Sequence, residues 1–252
     1  MPWERVVEHG VITAGIHMAA KARKLRFLKC KLIQPAADIR VSFAALLRIC
    51  EGGRYVLVQN RHRPDTCGPF GGVYKYHLSA QRFLDKVEFK PEDLGKPEDT
   101  KNDLRGFLPR RNLLALRNWY DKGEDRESPT TCLSRELEEE LTEIGMANVR
   151  VPNSLSFRKV RVVEEGPESV PGELYSQYRI LEVYEPVKRD SKRTVFEEIL
   201  AKAQTDSHLS FVGDEEIRRG RAKKDDRYIG HQTSYLLGSK RTRREDPPAV
   251  RP

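Results

Sequence analysis

The stretch that decides the fold is Arg135-Glu136-Leu137-Glu138-Glu139-Glu140. In a helix, residues three and four apart are neighbours, so Glu136, Glu139 and Glu140 share one face. Carboxylates packed this closely repel one another, and a bound cation would relieve the repulsion. Oxygen ligands without nearby His or paired Cys favour Mg²⁺ or Mn²⁺ over zinc. The pattern therefore predicts a divalent-metal site, with a solvated acidic helix face as the alternative.

The flanking residues define the bounds of this helix. An apolar stripe recurs at intervals of four, four and three residues, at Leu133, Leu137, Leu141 and Ile144, which predicts one buried side. Ser128 suits the N-cap, Pro129 the first helical position and Gly145 a left-handed C-terminal cap. We predict one helix over residues 129–144.

The order of residues around this helix resembles the Nudix box. In that family the pattern is Gly, five residues, Glu, seven residues, Arg-Glu-apolar-x-Glu-Glu-x-Gly, on a loop-helix-loop that binds Mg²⁺ and positions water against a diphosphate. The matching positions are Glu127, Arg135, Glu136, Leu137, Glu139 and Glu140.

Two glycines of the box are displaced. The leading glycine falls on Asp121, with Gly123 two residues later, and the closing glycine falls on Thr142. Gly145 follows Thr142 by three residues, so we expect the helix to run about one turn further before its cap.

A closer resemblance covers most of the chain. Residues 68–76, 103–105, 119, 126–127 and 135–141 occur in the order that is typical of the SMODS-associated Nudix domain, and residues 215–221 and 228–233 are also typical of it. That branch belongs to bacterial anti-phage systems that signal with cyclic oligonucleotides. The resemblance implies an α/β Nudix fold, an α/β/α sandwich with a mixed sheet and a helical insertion (74–126) between the glycine pair Gly71-Gly72 and the Nudix helix. It also implies a nucleotide-type small molecule as ligand and a link to a cyclic-oligonucleotide synthase pathway.

Composition is that of a soluble globular protein, with 38% hydrophobic and 33% charged residues in 252. The four cysteines show no paired spacing, so neither a disulfide framework nor a zinc site is indicated. No apolar stretch of the sequence is long enough for a bilayer, and we expect a cytoplasmic protein with no membrane span.

The net charge of +8 is concentrated at the two ends of the chain. We predict a basic helical segment at 1–38, a Nudix domain at 39–238 and a disordered basic tail at 239–252. Phosphate-rich partners fit this charge, although terminal basic runs are more often solubilising. A nucleic-acid partner is the weakest interpretation, because no RNA-binding motif accompanies the charge.

The remaining elements follow from periodicity and turn residues. We predict a hairpin of strands at 39–49 and 55–59, followed by a polar loop at 60–67. In the insertion we expect helices at 80–87 and 111–119, separated by an exposed loop at 90–103. Later we expect strands at 149–163, 176–184 and 209–212, helices at 194–203 and 215–221, and a closing helix at 229–237.

The candidate site residues form three groups. The predicted metal ligands are Glu136, Glu139, Glu140, Glu127 and the backbone of Gly72, with Arg135 as support that orients carboxylates through its guanidinium fork. The candidates for substrate binding are Gly71, Arg61, Arg63, Lys75, Asp103 and Arg105. Glu127 is equally well read as a helix-start charge, the lone cations as surface charges, and Asp103 with Arg105 as a salt bridge internal to the insertion.

Aromatic residues and a histidine give further candidates. Tyr74, Tyr76 and Trp119 have faces that suit base stacking, with core packing favoured for Trp119. His231 is better explained as a structural histidine than as a general base.

Three functions are compatible with these patterns. The first is Mg²⁺-dependent hydrolysis of a diphosphate linkage, and the second is a nucleotide-binding sensor with little chemistry, since the box glycines are displaced. The third is RNA end processing.

Overall fold

The protein is seen in a computed structural model that describes residues 37–61, 63–92, 100–152, 155–187 and 194–240. The predicted basic segment 1–38 and tail 239–252 therefore lie outside the described residues, except at positions 37, 38, 239 and 240. The same is true of the centre of the predicted exposed loop, residues 93–99.

The larger sheet has six strands, five of them in the order β6-β7-β1-β9-β8, with β5 also paired to β1. Their bounds are β1 Asp38–Leu47, β5 Phe70–Val73, β6 Lys90–Pro91, β7 Arg105–Pro109, β8 Phe157–Ser169 and β9 Ser176–Pro186. Strands β1 and β9 run parallel and the other pairs are antiparallel, so the sheet is mixed.

The smaller sheet has five strands, in the order β10-β3-β4-β11 with β2 paired to β3. They are β2 Cys50–Glu51, β3 Arg54–Asn60, β4 Arg63–Gly68, β10 Leu209–Gly213 and β11 Tyr228–Ile229. The described α-helices are α1 Gln81–Lys86, α2 Leu113–Lys122, α3 Pro129–Glu143, α4 Thr194–Ala203 and α5 Asp214–Arg219. This mixed α/β architecture agrees with the fold class predicted from the sequence.

The predicted hairpin of residues 39–49 and 55–59 is wrong in its pairing. Strand β1 ends at Leu47 and lies in the larger sheet, whereas β2 pairs with β3 across Gly52-Gly53. The two glycines have φ values of 56° and 74°, which suits a tight hairpin turn. Strand β1 cannot pair with β3, because β9 lies along one of its edges and β5 and β7 along the other.

Several other boundaries differ from the sequence prediction. Residues 63–68 form strand β4 instead of a polar loop, and β8 begins at Phe157 instead of residue 149. The predicted closing helix is a two-residue strand, β11, followed by a 3₁₀ helix at His231–Leu236. The insertion contains its two helices, but it also adds β6 and β7 to the larger sheet.

Burial along β1 distinguishes two faces of the larger sheet. Ile39, Val41, Phe43 and Ala45 are fully buried, and we call their side the closed face. The intervening side chains of Arg40, Ser42 and Ala44 are only partly buried, and we call their side the open face.

Helices α2 and α3 cover the closed face. Phe43 stacks on Tyr120 of α2 with ring centroids 4.4 Å apart, and the predicted stripe Leu133, Leu137, Leu141 and Ile144 of α3 is buried. In α2, Leu113 and Leu116 are buried, whereas Leu114 is 42% exposed. The smaller sheet packs on the other side, where Leu46 of β1 joins Leu57 and Val212 in a second cluster.

Candidate active site

The ends of α3 agree closely with the sequence prediction. The Ser128 hydroxyl accepts a hydrogen bond from the Thr131 backbone N–H at 3.1 Å, and Pro129 occupies the first helical position. The helix ends at Glu143, and Gly145 takes a left-handed conformation with φ 77°. Thr142 stands at the place of the closing glycine, and its hydroxyl donates a hydrogen bond to the Glu138 carbonyl within the helix. The extra helical turn predicted from Gly145 is therefore present.

Arg135 joins the carboxylates of this region. Its Nε and Nη2 donate to the two oxygens of Glu127 at 2.8 and 3.0 Å. Its Nη1 donates to Glu136 at 2.7 Å and to Glu139 at 3.2 Å, and Nη2 also reaches the Val73 carbonyl. Burial acts to lower the pKa of Arg135, but hydrogen bonds and charges from Glu127 and Glu136 raise it well above its ordinary value. The guanidinium therefore remains charged and fixes three carboxylates.

Gly71 and Gly72 lie directly against the acidic face of α3. The Gly71 N–H donates to the Glu140 carboxylate at 3.0 Å. Gly71 has φ 119°, and a Cβ there would overlap the Ala45 carbonyl; a Cβ on Gly72 would overlap the Glu136 carboxylate. Only glycine permits this approach of strand and helix.

Burial shapes the electrostatics of two carboxylates. It raises the pKa of Glu136, against the opposing effect of Arg135. Glu140 is more extreme, since burial raises its pKa well above the ordinary value, while the Gly71 N–H opposes this and Glu136 repels it. For both groups the effect of burial on the pKa outweighs the partners that oppose it.

This donor set suits a hard divalent cation. Three carboxylates, Glu127, Glu136 and Glu139, contact one guanidinium, and a fourth, Glu140, is repelled by Glu136, so negative charge exceeds positive charge. Among the described residues no three acidic, His or Cys side chains are already arranged as a metal-binding group. Coordination by Glu136 and Glu139 would use the oxygens that Arg135 leaves, together with those of Glu140.

The other predicted ligand, Glu127, is 7% exposed, and its hydrogen bonds hold two parts of the fold together. Besides Arg135, it accepts a hydrogen bond from the Lys75 N–H at 2.9 Å. This places the start of α3 against the strand that carries the glycine pair.

A family model described as the SMODS-associated NUDIX domain matches residues 38–237. The chain belongs to this family. Membership indicates a hydrolase-type or nucleotide-related function and a use of divalent metals that is general among Nudix domains. No curated protein matches the chain. Within the described part of this Nudix domain, no helix is both long and apolar enough to cross a membrane.

The substrate-binding candidates of this Nudix domain are divided between two places. Asp103 and Arg105 pair with each other at 2.8 Å, which is the internal salt bridge weighed above. The backbone of Asp103 pairs with that of Lys75 in an isolated antiparallel β-bridge, and the Asp103 charge acts on Glu136. Arg61 instead pairs with Glu143, beyond the metal face on α3, and Arg63 is exposed at the start of β4.

Base stacking on Tyr74 and Tyr76 is wrong, whereas the core packing favoured for Trp119 is confirmed. Tyr74, Tyr76 and Trp119 are 0%, 6% and 7% exposed, so no base can reach their faces. Trp119 stacks on Phe83 and Tyr76 packs edge-on to Phe89.

Sequence reasoning missed two polar networks around β9. Glu182 accepts hydrogen bonds from Tyr74 at 2.6 Å, Tyr184 at 2.8 Å and Lys159 at 2.8 Å. Burial acts to raise its pKa, but these hydrogen bonds outweigh burial and lower it.

The second missed network lies on the open face and includes Arg179, Glu165 and His231. His231 is 6% exposed and structural in its contacts, as favoured above. Only the strand register shows which side chains of these two networks meet, and register depends on pairing between residues that are distant in sequence.

Proposed function

We propose that this Nudix domain is a Mg²⁺- or Mn²⁺-dependent hydrolase that cleaves a diphosphate linkage in a nucleotide-type substrate. The observation that carries the proposal is the excess of carboxylates over positive charge on α3, next to a glycine pair that admits no side chain. Glu136, Glu139 and Glu140 would hold the cation, with Gly72 and Glu127 beside them.

The chemistry requires little covalent participation by the protein. A bound divalent cation supplies Lewis-acid stabilisation of the diphosphate oxygens. Hydrolysis adds a hydroxyl to one phosphorus and a proton to the leaving phosphate. Glu139, whose side chain is 52% exposed, would accept the proton of the attacking water. Arg135 and the Gly71 N–H keep the carboxylates in position.

Substitution of two carboxylates tests the assignment. Glu139→Gln and Glu140→Gln should each lower turnover of a diphosphate substrate by at least about a hundredfold, the scale of general-base catalysis. Arg158→Gln, on an exposed side chain of β8, is the matched control and should retain turnover. Substrates to assay are ADP-ribose, dinucleoside polyphosphates, NTPs and cyclic dinucleotides, with products separated by chromatography. If both Glu variants turn over the substrate at the wild-type rate, the proposal is contradicted.

A nucleotide sensor is the second candidate. It is favoured by Asp121 and Thr142 at the glycine positions of the box. Calorimetry on the same compounds separates the two functions. Tight binding without new products would support the sensor, in which ligand binding changes a partner interaction.

We further propose a role in anti-phage defence linked to cyclic nucleotides, which rests on the family alone. A gene for a cyclic-oligonucleotide synthase next to the gene for this chain would support it. Consistent absence of such a neighbour would count against it.

A further inference from the structure

The loop between α2 and α3 contains one of the two departures from the Nudix box. The leading glycine of the box falls on Asp121, which lies in the last turn of α2 and pairs with Arg117. Helix α2 then ends at Gly123, whose φ of 72° suits a left-handed C-cap. The chain next has to bring Glu127 to Arg135, so a contact other than the box glycine fixes the path of this loop.

Arg126 joins the two ends of the loop. Its Nε donates to the Tyr120 carbonyl, before the loop, at 3.2 Å. Its Nη1 donates to the Glu127 carbonyl, after the loop, at 2.9 Å. The Tyr120 carbonyl also accepts the Gly123 N–H that caps α2. One guanidinium thus connects the end of α2 with the residue that precedes the N-cap of α3.

Two buried tyrosine rings hold the Arg126 guanidinium in place. Its central carbon lies 4.1 Å from the Tyr120 ring centroid and 4.7 Å from that of Tyr74. The two tyrosines are 1% and 0% exposed, and Tyr74 is fixed in turn by its hydrogen bond to Glu182. Cation–π contacts are stronger when they are desolvated. A planar guanidinium can lie against the rings and still donate from two nitrogens, which a Lys ammonium cannot reproduce.

The backbone around Arg126 extends strand β5. Tyr76 and Arg126 form an antiparallel bridge, and the Glu127 N–H donates to the Lys75 carbonyl at 2.9 Å. The Glu127 carboxylate in turn accepts from the Lys75 N–H. Glu127 is therefore held from two sides, by the extension of β5 and, through Arg126, by α2.

The position of Glu127 determines the orientation of Arg135. Both Glu127 oxygens accept from Arg135, at 2.8 and 3.0 Å, and Nη1 of Arg135 reaches Glu136 and Glu139. A bidentate pair fixes a guanidinium in direction as well as in distance. Displacement of Glu127 would turn Arg135 and release two of the proposed metal ligands.

We propose that Arg126 is a positioning residue of the metal site, which compensates for Asp121 at the leading glycine of the box by closing the loop and holding Glu127 against Arg135. It acts on the metal face through these two residues and not by contact with the cation. The identity of the metal ligands rests on the proposed function, but the positioning effect requires no hydrolysis.

The test is calorimetric binding of Mg²⁺ to the folded protein. Arg126→Lys keeps the charge but loses one hydrogen bond and the planar contact with the rings, and it should weaken Mg²⁺ binding about tenfold or more. Thermal unfolding measures the accompanying loss of stability. A purely structural Arg126 would lower the melting temperature and leave the Mg²⁺ affinity of the folded protein unchanged, and that result overturns the proposal.

Arg221→Lys is the matched control. Arg221 also lies over a tyrosine ring, 3.7 Å from the centroid of Tyr228, and also donates to a backbone carbonyl, that of Asp226. This substitution should lower the melting temperature but change Mg²⁺ affinity less than about twofold, because its contacts are shared with none of the carboxylates of α3. An equal loss of Mg²⁺ affinity in both variants overturns the proposal.

A double-mutant cycle with Glu127→Gln tests the route of the effect. If Arg126 acts through Glu127, Arg126→Lys should weaken Mg²⁺ binding by less than about a further twofold in the Glu127→Gln protein. Full additivity of the two changes overturns the proposal.

The wild type provides a second measurement if Arg126→Lys does not fold. Coupling between two sites is reciprocal, so bound Mg²⁺ should stabilise the loop as the loop stabilises the site. Hydrogen exchange at residues 123–127 should slow when Mg²⁺ is added, whereas exchange at residues 221–227 should stay the same. Unchanged exchange at 123–127 overturns the proposal.

The outcomes separate this proposal from the proposed function. If Arg126→Lys binds Mg²⁺ as the wild type does while Glu140→Gln lacks turnover, only the Arg126 assignment fails. If Arg126→Lys loses Mg²⁺ affinity as expected and the wild type hydrolyses none of the substrates, only the catalytic assignment fails. A wild type that binds no Mg²⁺ overturns both.

Discussion

At the scale of single residues, charge balance dominates this site. Arg135 contacts Glu127, Glu136 and Glu139 but not Glu140. Glu140 therefore depends on one backbone N–H, from Gly71. A carboxylate buried in this way is protonated more readily than usual.

Metal binding should therefore release protons. Because burial raises the pKa of Glu140 well above its ordinary value, the metal-free group stays protonated to a higher pH than an ordinary carboxyl, and Mg²⁺ must displace that proton. Affinity should rise with pH until Glu140 is ionised without metal. Calorimetry of Mg²⁺ binding in buffers of different ionisation enthalpy measures the released protons. Glu140→Gln should abolish most of the release, and equal release in that variant would contradict the explanation.

The glycine pair should separate loss of stability from loss of activity. Gly71→Ala should destabilise the fold severely, because its Cβ would overlap the Ala45 backbone and its φ is 119°. Gly72→Ala should instead retain most stability and lose metal affinity, because its Cβ would displace the end of the Glu136 side chain and no backbone atom.

Gly145→Ala is the control for these glycines, since no atom lies within 4 Å of its Cβ position. It should cost only about 1 kcal/mol, from its left-handed conformation. Urea unfolding and Mg²⁺ calorimetry on the three variants measure both properties. A Gly72→Ala protein with normal Mg²⁺ affinity would exclude the proposed contact with Glu136.

At the scale of elements, α3 connects stability to the site. Its apolar stripe packs on the closed face while its acidic face meets β5. The N-cap at Ser128 and the Glu127 contacts with Arg135 and Lys75 fix the same end of the helix.

Ser128→Ala should lower the free energy of unfolding by about 1 kcal/mol, because the Thr131 N–H loses its hydrogen-bond acceptor. Ser207→Ala, at an exposed position, is the matched substitution and should change stability by less than about 0.5 kcal/mol. Chemical denaturation measures both. Equal effects would show that the cap does not stabilise α3.

At the scale of the whole molecule, stability should depend on pH through Asp103. Burial raises its pKa from 3.8 to about 6, although Arg105 opposes the shift. The folded state then binds the proton more tightly than the unfolded state. The tighter binding of this proton stabilises the folded state by about 2–3 kcal/mol. This stabilisation is fully present below about pH 4 and is lost as the pH rises through 6.

Asp103→Asn should therefore flatten the pH dependence of the free energy of unfolding between pH 4 and 7. Asp65→Asn, at an exposed position of β4, should leave the dependence as in the wild type. Urea denaturation at intervals of half a pH unit measures the slope. A wild-type stability that does not fall over this range, relative to Asp103→Asn, would contradict the assigned pKa.

What could be predicted from sequence was local in origin. The bounds and buried stripe of α3, helix α4 at Thr194–Ala203 and the strand beginning at Ser176 follow from apolar periodicity and caps. Periodicity depends on neighbours a few residues apart, so it is readable without the fold. The spacing from Glu127 to Glu140 likewise indicated the Nudix family, which the match over residues 38–237 confirms.

The sequence by itself thus determined the helix with its acidic face and the family. Only the tertiary structure decided which residues that face meets. Pairing of β1 with β7 and β9 joins residues more than sixty positions apart and places Arg105 and Arg179 across Ser42. The same packing buries Tyr74, Tyr76 and Trp119 and leaves Phe107 partly exposed. Strand order and register depend on contacts that are distant in sequence, and no local pattern specifies them.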